Sequence, residues 1–288
     1  MIWLILTIIS ATGIFLTFKL LGKFKIPILI VIVINYLIAA LLGFIVYGDI
    51  NLIEIVKAVW FPVSFIIGFL FIVNFFLIGL SSNKVGISIT TVASKMSVAI
   101  PMAFSIIYYN EPIQFLKIFG LVLALVAVAM AVLQRGKTNV KSLSKTLLPA
   151  VLFIGMGITD SSVKFAQDAY VPDSEASVFS AALFGSAFVL GVISLFFKKG
   201  NFKPLRKTNT YIAGIGLGVV NFGSIYFLIR CLNSGAFQSS VVFGMANISV
   251  VTISVIIGTV FFKEKLSKLN FIGIILAIFA IVILSLTR

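Results

Sequence analysis

Apolar residues form long stretches along this chain, and short polar segments separate them. A helix needs about 20 predominantly apolar residues to cross a bilayer, and ten stretches approach that length. The stretches are Ile2–Phe18, Ile26–Tyr47, Ala58–Leu80, Val85–Tyr109, Phe115–Leu133, Leu147–Val163, Ala176–Phe197, Thr210–Ile229, Phe237–Phe262 and Leu269–Leu286. Because the segments between them leave no room for a soluble domain, the pattern predicts an all-α polytopic membrane protein with ten transmembrane helices.

The composition points to the same class of protein. Of the 288 residues, 61% are hydrophobic and 10% are charged, whereas a soluble domain is about 25% charged. The basic residues behind the net charge of +14 border the apolar stretches, so we expect a lipid bilayer and no nucleic acid as partner. The chain has no histidine and one cysteine, Cys231, so no metal site, disulfide or cofactor is expected.

The two halves of the chain match each other, which predicts an internal duplication. An acidic residue followed nine positions later by a glycine recurs at an offset of 153 residues, first as Glu111 and Gly120, then as Glu264 and Gly273. A lysine and a proline recur at an offset of 145 residues, first as Lys19 and Pro27, then as Lys164 and Pro172. We therefore assign residues 1–134 to a first five-helix repeat, 135–145 to a cytoplasmic linker and 146–288 to a second five-helix repeat.

The charges of the loops predict that the second repeat is inverted. Five is an odd number of spans, so a duplicated unit enters the membrane the second time from the opposite side. The first loop of repeat one carries Lys19, Lys23 and Lys25, whereas the equivalent loop of repeat two carries Asp168, Asp173 and Glu175. The side richer in lysine and arginine is predicted to be cytoplasmic. The protein is then a multi-pass protein of the plasma (inner) membrane with both termini outside.

This pattern resembles the drug/metabolite transporter superfamily, and within it the ten-span EamA-like carriers. The resemblance covers nearly the whole chain and depends on Lys19 and Lys164, which close spans one and six, and on Glu111 and Glu264, which open spans five and ten. It implies a secondary carrier of small metabolites, not an enzyme, with a cavity between the two halves. Many such carriers have an arginine in the second span, whereas Ile26–Tyr47 holds Asn35 and no charge, so no substrate carries over.

Lys95 is the candidate functional residue with the strongest physical argument. It is the only charged residue in Val85–Tyr109, and a lysine at the centre of a bilayer costs about 2.5–3.5 kcal/mol on insertion scales. Ten residues into the span it lies about 15 Å deep, at the midplane. Pro101 is expected to bend the helix just beyond it. We expect Lys95 to bind an anionic group of a substrate, namely a carboxylate; the alternative is an ion pair that only fixes packing.

Neutral polar residues within the predicted spans extend the candidate site. Asn247 in span nine is equivalent to Ser94, the neighbour of Lys95, and spans three and eight add amide and hydroxyl groups. Hydrogen bonds between helices are the alternative role for each of them. The substrate-binding candidates are Lys95, Thr91, Ser94, Asn247, Asn74, Asn221 and Tyr226.

Asp160 and Lys164, one turn apart in span six, allow two interpretations. In the first they form a local i,i+4 ion pair, with Lys164 extending to the membrane surface. In the second, Asp160 is a proton site or the counter-charge of Lys95 in the empty carrier, which would allow coupling to protons.

These residues predict a secondary transporter that moves a small polar metabolite, an amino acid or an organic acid, by alternating access. Asp160 keeps open a second function, a multidrug carrier that exports lipophilic cations. An integral-membrane lipid enzyme is a third alternative, and it would need an acid–base cluster or a metal site near the interface.

Overall fold

The computed structural model describes residues 1–48, 52–109, 114–132, 140–172, 175–197, 208–234 and 239–286, and its regular elements are all helices. In chain order they are α1 (Ile2–Lys23), α2 (Ile28–Tyr47), α3 (Leu52–Lys57), α4 (Phe61–Lys84), α5 (Ile87–Met96), α6 (Ala99–Tyr108), α7 (Phe115–Val132), α8 (Val140–Tyr170), α9 (Ala176–Phe197), α10 (Thr208–Asn233), α11 (Ser239–Ile256) and α12 (Lys268–Leu286). One π-helical turn, Ile257–Phe261, continues α11.

Seven helical segments of the described residues are long and apolar enough to cross a membrane: Ile2–Lys23, Ile28–Val46, Phe61–Lys84, Ile87–Tyr108, Leu147–Tyr170, Val178–Phe196 and Thr208–Cys231. Three further apolar helices are shorter: Phe115–Ala131, Met245–Phe261 and Lys268–Leu284. Each of the ten predicted stretches therefore contains apolar helix. The all-helical class is confirmed, and the long apolar helices are those of a membrane protein; seven of the ten meet the length of a span.

Several boundaries differ from the prediction. Helix α8 begins at Val140 rather than Leu147 and continues through Pro149, so the second part of the predicted linker is helical. The residues before Val140 in that linker, and Glu111 at the start of span five, lie outside the described residues. The short helix α3 was not predicted, because six residues are too few to give a clear period.

Apolar side chains fill the interior and also cover much of the outside. The largest buried cluster joins α1, α2, α4, α9 and α10, and a second cluster joins α5, α7, α11 and α12. Large apolar side chains such as Ile9, Phe69, Leu125, Ile212 and Phe279 are exposed on the outer faces of their helices. In water such an apolar exterior would be unfavourable, whereas hydrocarbon accommodates it.

The contacts between helices follow the predicted duplication. In that duplication α1 corresponds to α8, α2 to α9, α4 to α10, α5 to α11 and α7 to α12. When each helix is replaced by its counterpart, the most extensive contacts match one another. Matching partners are α1–α10 with α4–α8, α2–α10 with α4–α9, and α1–α11 with α5–α8, whereas α2–α9, α5–α11 and α7–α12 each map onto themselves. The contact between α1 and α4 is an exception, because its counterpart, α8 with α10, is not among the extensive pairs of the described helices.

Helices α7 and α12 approach closely at Gly273, and this contact gives a prediction for stability. A Cβ atom at Gly273 would contact the backbone of α7, including the Ala127 carbonyl oxygen at 2.8 Å. Gly273→Ala is expected to lower the apparent Tm in detergent by about 3–10 °C, because overpacking against backbone cannot relax. Gly216→Ala is the control, since that glycine of α10 faces open space and alanine favours helix; an equal loss in both variants would contradict the prediction.

Candidate functional site

A cavity with two adjoining lobes lies between the helices that carry the predicted polar residues. The aromatic lobe, next to Phe71, Phe75 and Phe184, has a volume of about 210 Å³. The wide lobe, which extends to Thr7, Leu228 and Phe243, has a volume of about 390 Å³. Both lobes are lined by Ala11, Ser94, Lys95, Met156, Asp160, Ser224 and Ile225. Among the lining residues that the structure describes, Lys95 is the only cation and Asp160 the only anion, so the two charges lie where the lobes meet.

Lys95 lies in the last turn of α5, directly before a break in the helix. Residues 97 and 98 are not helical, and α6 begins at Ala99. The helix is thus interrupted next to the place where Pro101 was expected to bend it: Pro101 has no N–H to give to the Ser97 carbonyl, which instead accepts from Ile100 N at 2.9 Å. The Lys95 ammonium benefits from the negative end of the α5 dipole, and the positive N-terminus of α6 follows at once.

Asp160, on α8, exposes its carboxylate to the cavity opposite Lys95. The two groups attract each other electrostatically, yet within the described part of the chain their nitrogen and oxygen atoms do not come within the 4.0 Å of an ion pair. The Lys164 ammonium lies instead over the ring of Tyr109, 4.9 Å from its centroid. Asp160 therefore has Lys95 as its electrostatic partner, and a gap separates the two charges.

Three of the predicted amide side chains also line the cavity. Asn74 and Asn221 line the aromatic lobe, and Asn247 lines the wide lobe. Asn74 is 2% exposed, and its Nδ2 donates to Thr159 Oγ1 at 2.6 Å and to the Gly155 carbonyl at 3.1 Å. Its Oδ1 is buried and has no hydrogen-bond donor among the described residues.

Three other predicted residues line neither lobe. Thr91 is fully buried, and its hydroxyl donates to the Ile87 carbonyl at 2.8 Å. The ring of Tyr226 stacks on Phe222 with 5.5 Å between centroids. Lys164 lies over Tyr109, as described above. The helical period places Thr91 on the face of Lys95, but a threonine hydroxyl readily bonds the carbonyl four residues earlier in its own helix.

The structure adds lining residues that the sequence did not single out. Ser224 follows Asn221 by three positions, a spacing that puts both on one helix face and could have identified it. Ser97 follows the predicted Ser94 by the same spacing, whereas Thr7 and Thr159 had no such signal. Four aromatic side chains also line the aromatic lobe: Phe15, Phe71, Phe75 and Phe184.

A second polar group, the Lys19–Glu264 cluster, consists of Lys19, Ser82, Ile87, Ser88 and Glu264. The Lys19 ammonium lies 2.9 Å from Glu264 Oε1 and donates to the Ser82 carbonyl at 3.0 Å. Glu264 Oε1 accepts from Ile87 N at 2.7 Å, and Oε2 accepts from Ser88 N at 3.2 Å and Ser88 Oγ at 2.9 Å. The carboxylate, only 9% exposed, thus caps the N-terminus of α5 and joins it to the ends of α1 and α4.

Two glycines make room for this carboxylate. Gly86, directly before α5, has a φ of +125°, a conformation that side chains disfavour. A Cβ atom there would lie 2.8 Å from the Glu264 carboxylate, and one at Gly258 would collide with Ser88 Oγ. The cluster therefore depends on both backbone positions.

Comparison with known proteins gives the chain a family but no named activity. No family model matches it. A Haemophilus influenzae protein described as uncharacterized is 31% identical over 225 residues, which cover 76% of this chain and 74% of the relative. The chain belongs to the family of that protein. A crystal structure with 15% sequence identity covers 98% of each chain with a TM-score of 0.57, which shows a shared fold.

The site itself therefore carries the chemical argument. It presents one ammonium and one carboxylate to a cavity with largely apolar walls, and amide and hydroxyl groups surround them. Among the described residues, no group of three or more Cys, Asp or Glu side chains lies close enough to hold a metal ion. The arrangement is suited to binding a small charged molecule.

Proposed function

We propose that this protein is a secondary transporter that moves a small polar metabolite with an anionic group across the plasma (inner) membrane by alternating access. The observation that carries the proposal is the position of Lys95, which faces both lobes of the cavity and has no ion-pair partner within the described residues. An ammonium group within an apolar span needs compensation. A substrate carboxylate would supply it.

The packing of the helices supports ten spans in two inverted repeats, as in the EamA-like drug/metabolite transporters. The matching helix contacts are those expected when one five-helix unit occurs twice, and the odd number of spans in the unit gives the second copy the opposite orientation. The loop charges support the same arrangement and favour both termini outside. In such carriers the substrate site lies near the midplane between the repeats, which is where Lys95 is expected.

The Lys19–Glu264 cluster supports a carrier closed on one side. Ser88 in the cluster and Lys95 in the cavity are seven residues apart on α5, or about 10 Å. The wide lobe extends the other way, toward Thr7, Leu228 and Phe243. With Lys19 on the cytoplasmic side, this state is closed toward the cytoplasm, and the unmatched α1–α4 contact lies at the closed end.

Asp160 favours one alternative function, export of lipophilic cations. Its carboxylate faces the same cavity, and a membrane carboxylate is the group that such a carrier would use. An enzyme of lipid chemistry would convert a lipid into a product, whereas a carrier of either kind releases its substrate unchanged.

The proposal predicts which compounds exchange through purified protein in liposomes. Amino acids and organic acids, loaded inside at millimolar concentration, are expected to drive uptake of the same labelled compound, and at 100 times Kd a bound substrate should stabilise the protein by about 2.7 kcal/mol. Empty liposomes are the control. Exchange of lipophilic cations alone would identify the efflux carrier, and exchange of no compound together with a new lipid product would identify an enzyme.

A further inference from the structure

We propose that the substrate is a zwitterion with an apolar side chain: an amino acid whose carboxylate binds Lys95, whose ammonium binds Asp160 and whose side chain enters the aromatic lobe. This inference rests on the proposed function and narrows it. An organic acid without an ammonium group would use only one half of the charged site.

The separation of the two charges is the first argument. Lys95 on α5 and Asp160 on α8 face both lobes and attract each other, but among the described residues they do not meet in an ion pair. A ligand that bears both charges can neutralise both groups at once. A ligand that bears only one charge would leave the other protein charge without a partner in apolar surroundings, which is unfavourable.

The hydrogen-bonding groups near Asp160 are the second argument. Asn74 lines the same lobe as Asp160, and its amide nitrogen donates to Thr159 and Gly155, so it has no donor left for a ligand carboxylate. Its oxygen is enclosed and does not face the cavity, which leaves the Asp160 carboxylate as the charged acceptor on this side. An ammonium group has three donors and no acceptor, so it matches this side of the cavity, whereas a carboxylate does not.

The aromatic lobe is the third argument. Its walls are formed by Phe15, Phe71, Phe75 and Phe184 together with aliphatic side chains. Behind them Tyr36 is fully buried and packs against three of these rings, with centroid distances of 6.4 Å to Phe71, 5.3 Å to Phe75 and 6.2 Å to Phe184. The lobe is thus a preformed apolar pocket that begins at the charged pair. It suits an apolar side chain better than a polar one.

Four compounds test the proposal on the wild-type protein in liposomes. L-leucine and L-phenylalanine carry both charges, N-acetyl-L-leucine carries only the carboxylate, and L-leucinamide carries only the ammonium. At least tenfold faster exchange of the free amino acids than of either blocked compound is expected. If N-acetyl-L-leucine exchanges as fast as L-leucine, the zwitterion proposal is wrong and the transporter of anions stands. If no compound with a carboxylate exchanges, both proposals fail.

Two variants separate the charges and guard against misfolding. Asp160→Asn is expected to accept N-acetyl-L-leucine at least as well as L-leucine, because the carboxylate that demands an ammonium is gone. Exchange of N-acetyl-L-leucine by this variant also shows that it is folded. Asp168→Asn is the matched control on the same helix, two turns beyond the cavity, and should keep the wild-type preference. An unchanged preference for L-leucine in Asp160→Asn would overturn the assignment of the ammonium to Asp160.

Discussion

Lys95→Met is expected to abolish exchange of every substrate that carries a carboxylate, while the protein remains folded in the membrane. The reason is the loss of the only cation among the described lining residues of the cavity. Removing one partner of a buried charge pair costs about 2–5 kcal/mol, which is a loss of affinity of about 30-fold or more. Methionine keeps the length and apolar character of the lysine stem, so packing should change little.

The measurement is counterflow in liposomes together with a thermal-shift titration of the same preparation. Lys84→Met is the matched control, because it removes an exposed lysine at the end of α4 outside the cavity. Lys95→Arg should recover exchange only in part, since the planar guanidinium keeps the charge but not the shape of the ammonium. Wild-type exchange by Lys95→Met would show that Lys95 serves packing alone and would remove the observation that carries the proposed function.

The sequence located Lys95 because a charge within an apolar stretch has few explanations. The same reasoning found Asn74, Asn221 and Asn247, which all line the cavity. It found the break beyond Lys95 because proline removes a specific hydrogen bond. In each case a charged residue, an amide or a proline is unfavourable within an apolar helix. The apolar pattern alone shows that the residue lies within the helix, so the neighbouring helices need not be known.

Other residues needed the packing of the helices. Thr91 shares a helix face with Lys95 but is buried. The helical period shows which residues lie on one face, but it does not show which neighbouring helix covers that face. Phe184 could not be distinguished from the other phenylalanines of an apolar chain. Lys19 and Glu264 were recognised only as landmarks of the two repeats. Their contact joins opposite ends of the chain, and no local pattern encodes such a pair.

That contact gives the second large effect. Glu264→Gln is expected to weaken the closed, Lys19-bearing side of the proposed carrier, because it removes the charge that holds Lys19 and that caps the N-terminus of α5. Hydrogen bonds to charged groups contribute about 1.5–3 kcal/mol each, so losing even one should raise the open population about tenfold or more. Gly86→Ala should act in the same direction, since its Cβ atom would displace the carboxylate.

Thr91 is a suitable reporter, because it is buried between the cluster and the cavity in the closed state. In a Cys231→Ala background, Thr91→Cys should react slowly with an impermeant maleimide added from the side that bears Lys19 and Glu264, and about tenfold faster when Glu264→Gln is added. Glu175→Gln is the matched control, because that carboxylate accepts a hydrogen bond from Trp60 at 2.6 Å, away from the cluster. It should leave the labelling rate unchanged.

A double variant separates a latch from a simple helix cap. If Lys19 and Glu264 hold the closed state as one unit, Lys19→Met should speed labelling as Glu264→Gln does, and the two changes together should add little more. If Glu264 only caps α5, Lys19→Met should leave labelling unchanged, although Glu264→Gln lowers the Tm. Unchanged labelling in both single variants would contradict a role of the cluster in closing the carrier. If both single variants label faster and their effects do not add, the Lys19–Glu264 ion pair must break before this side of the protein can open. That ion pair joins α1 to the segment directly before α12.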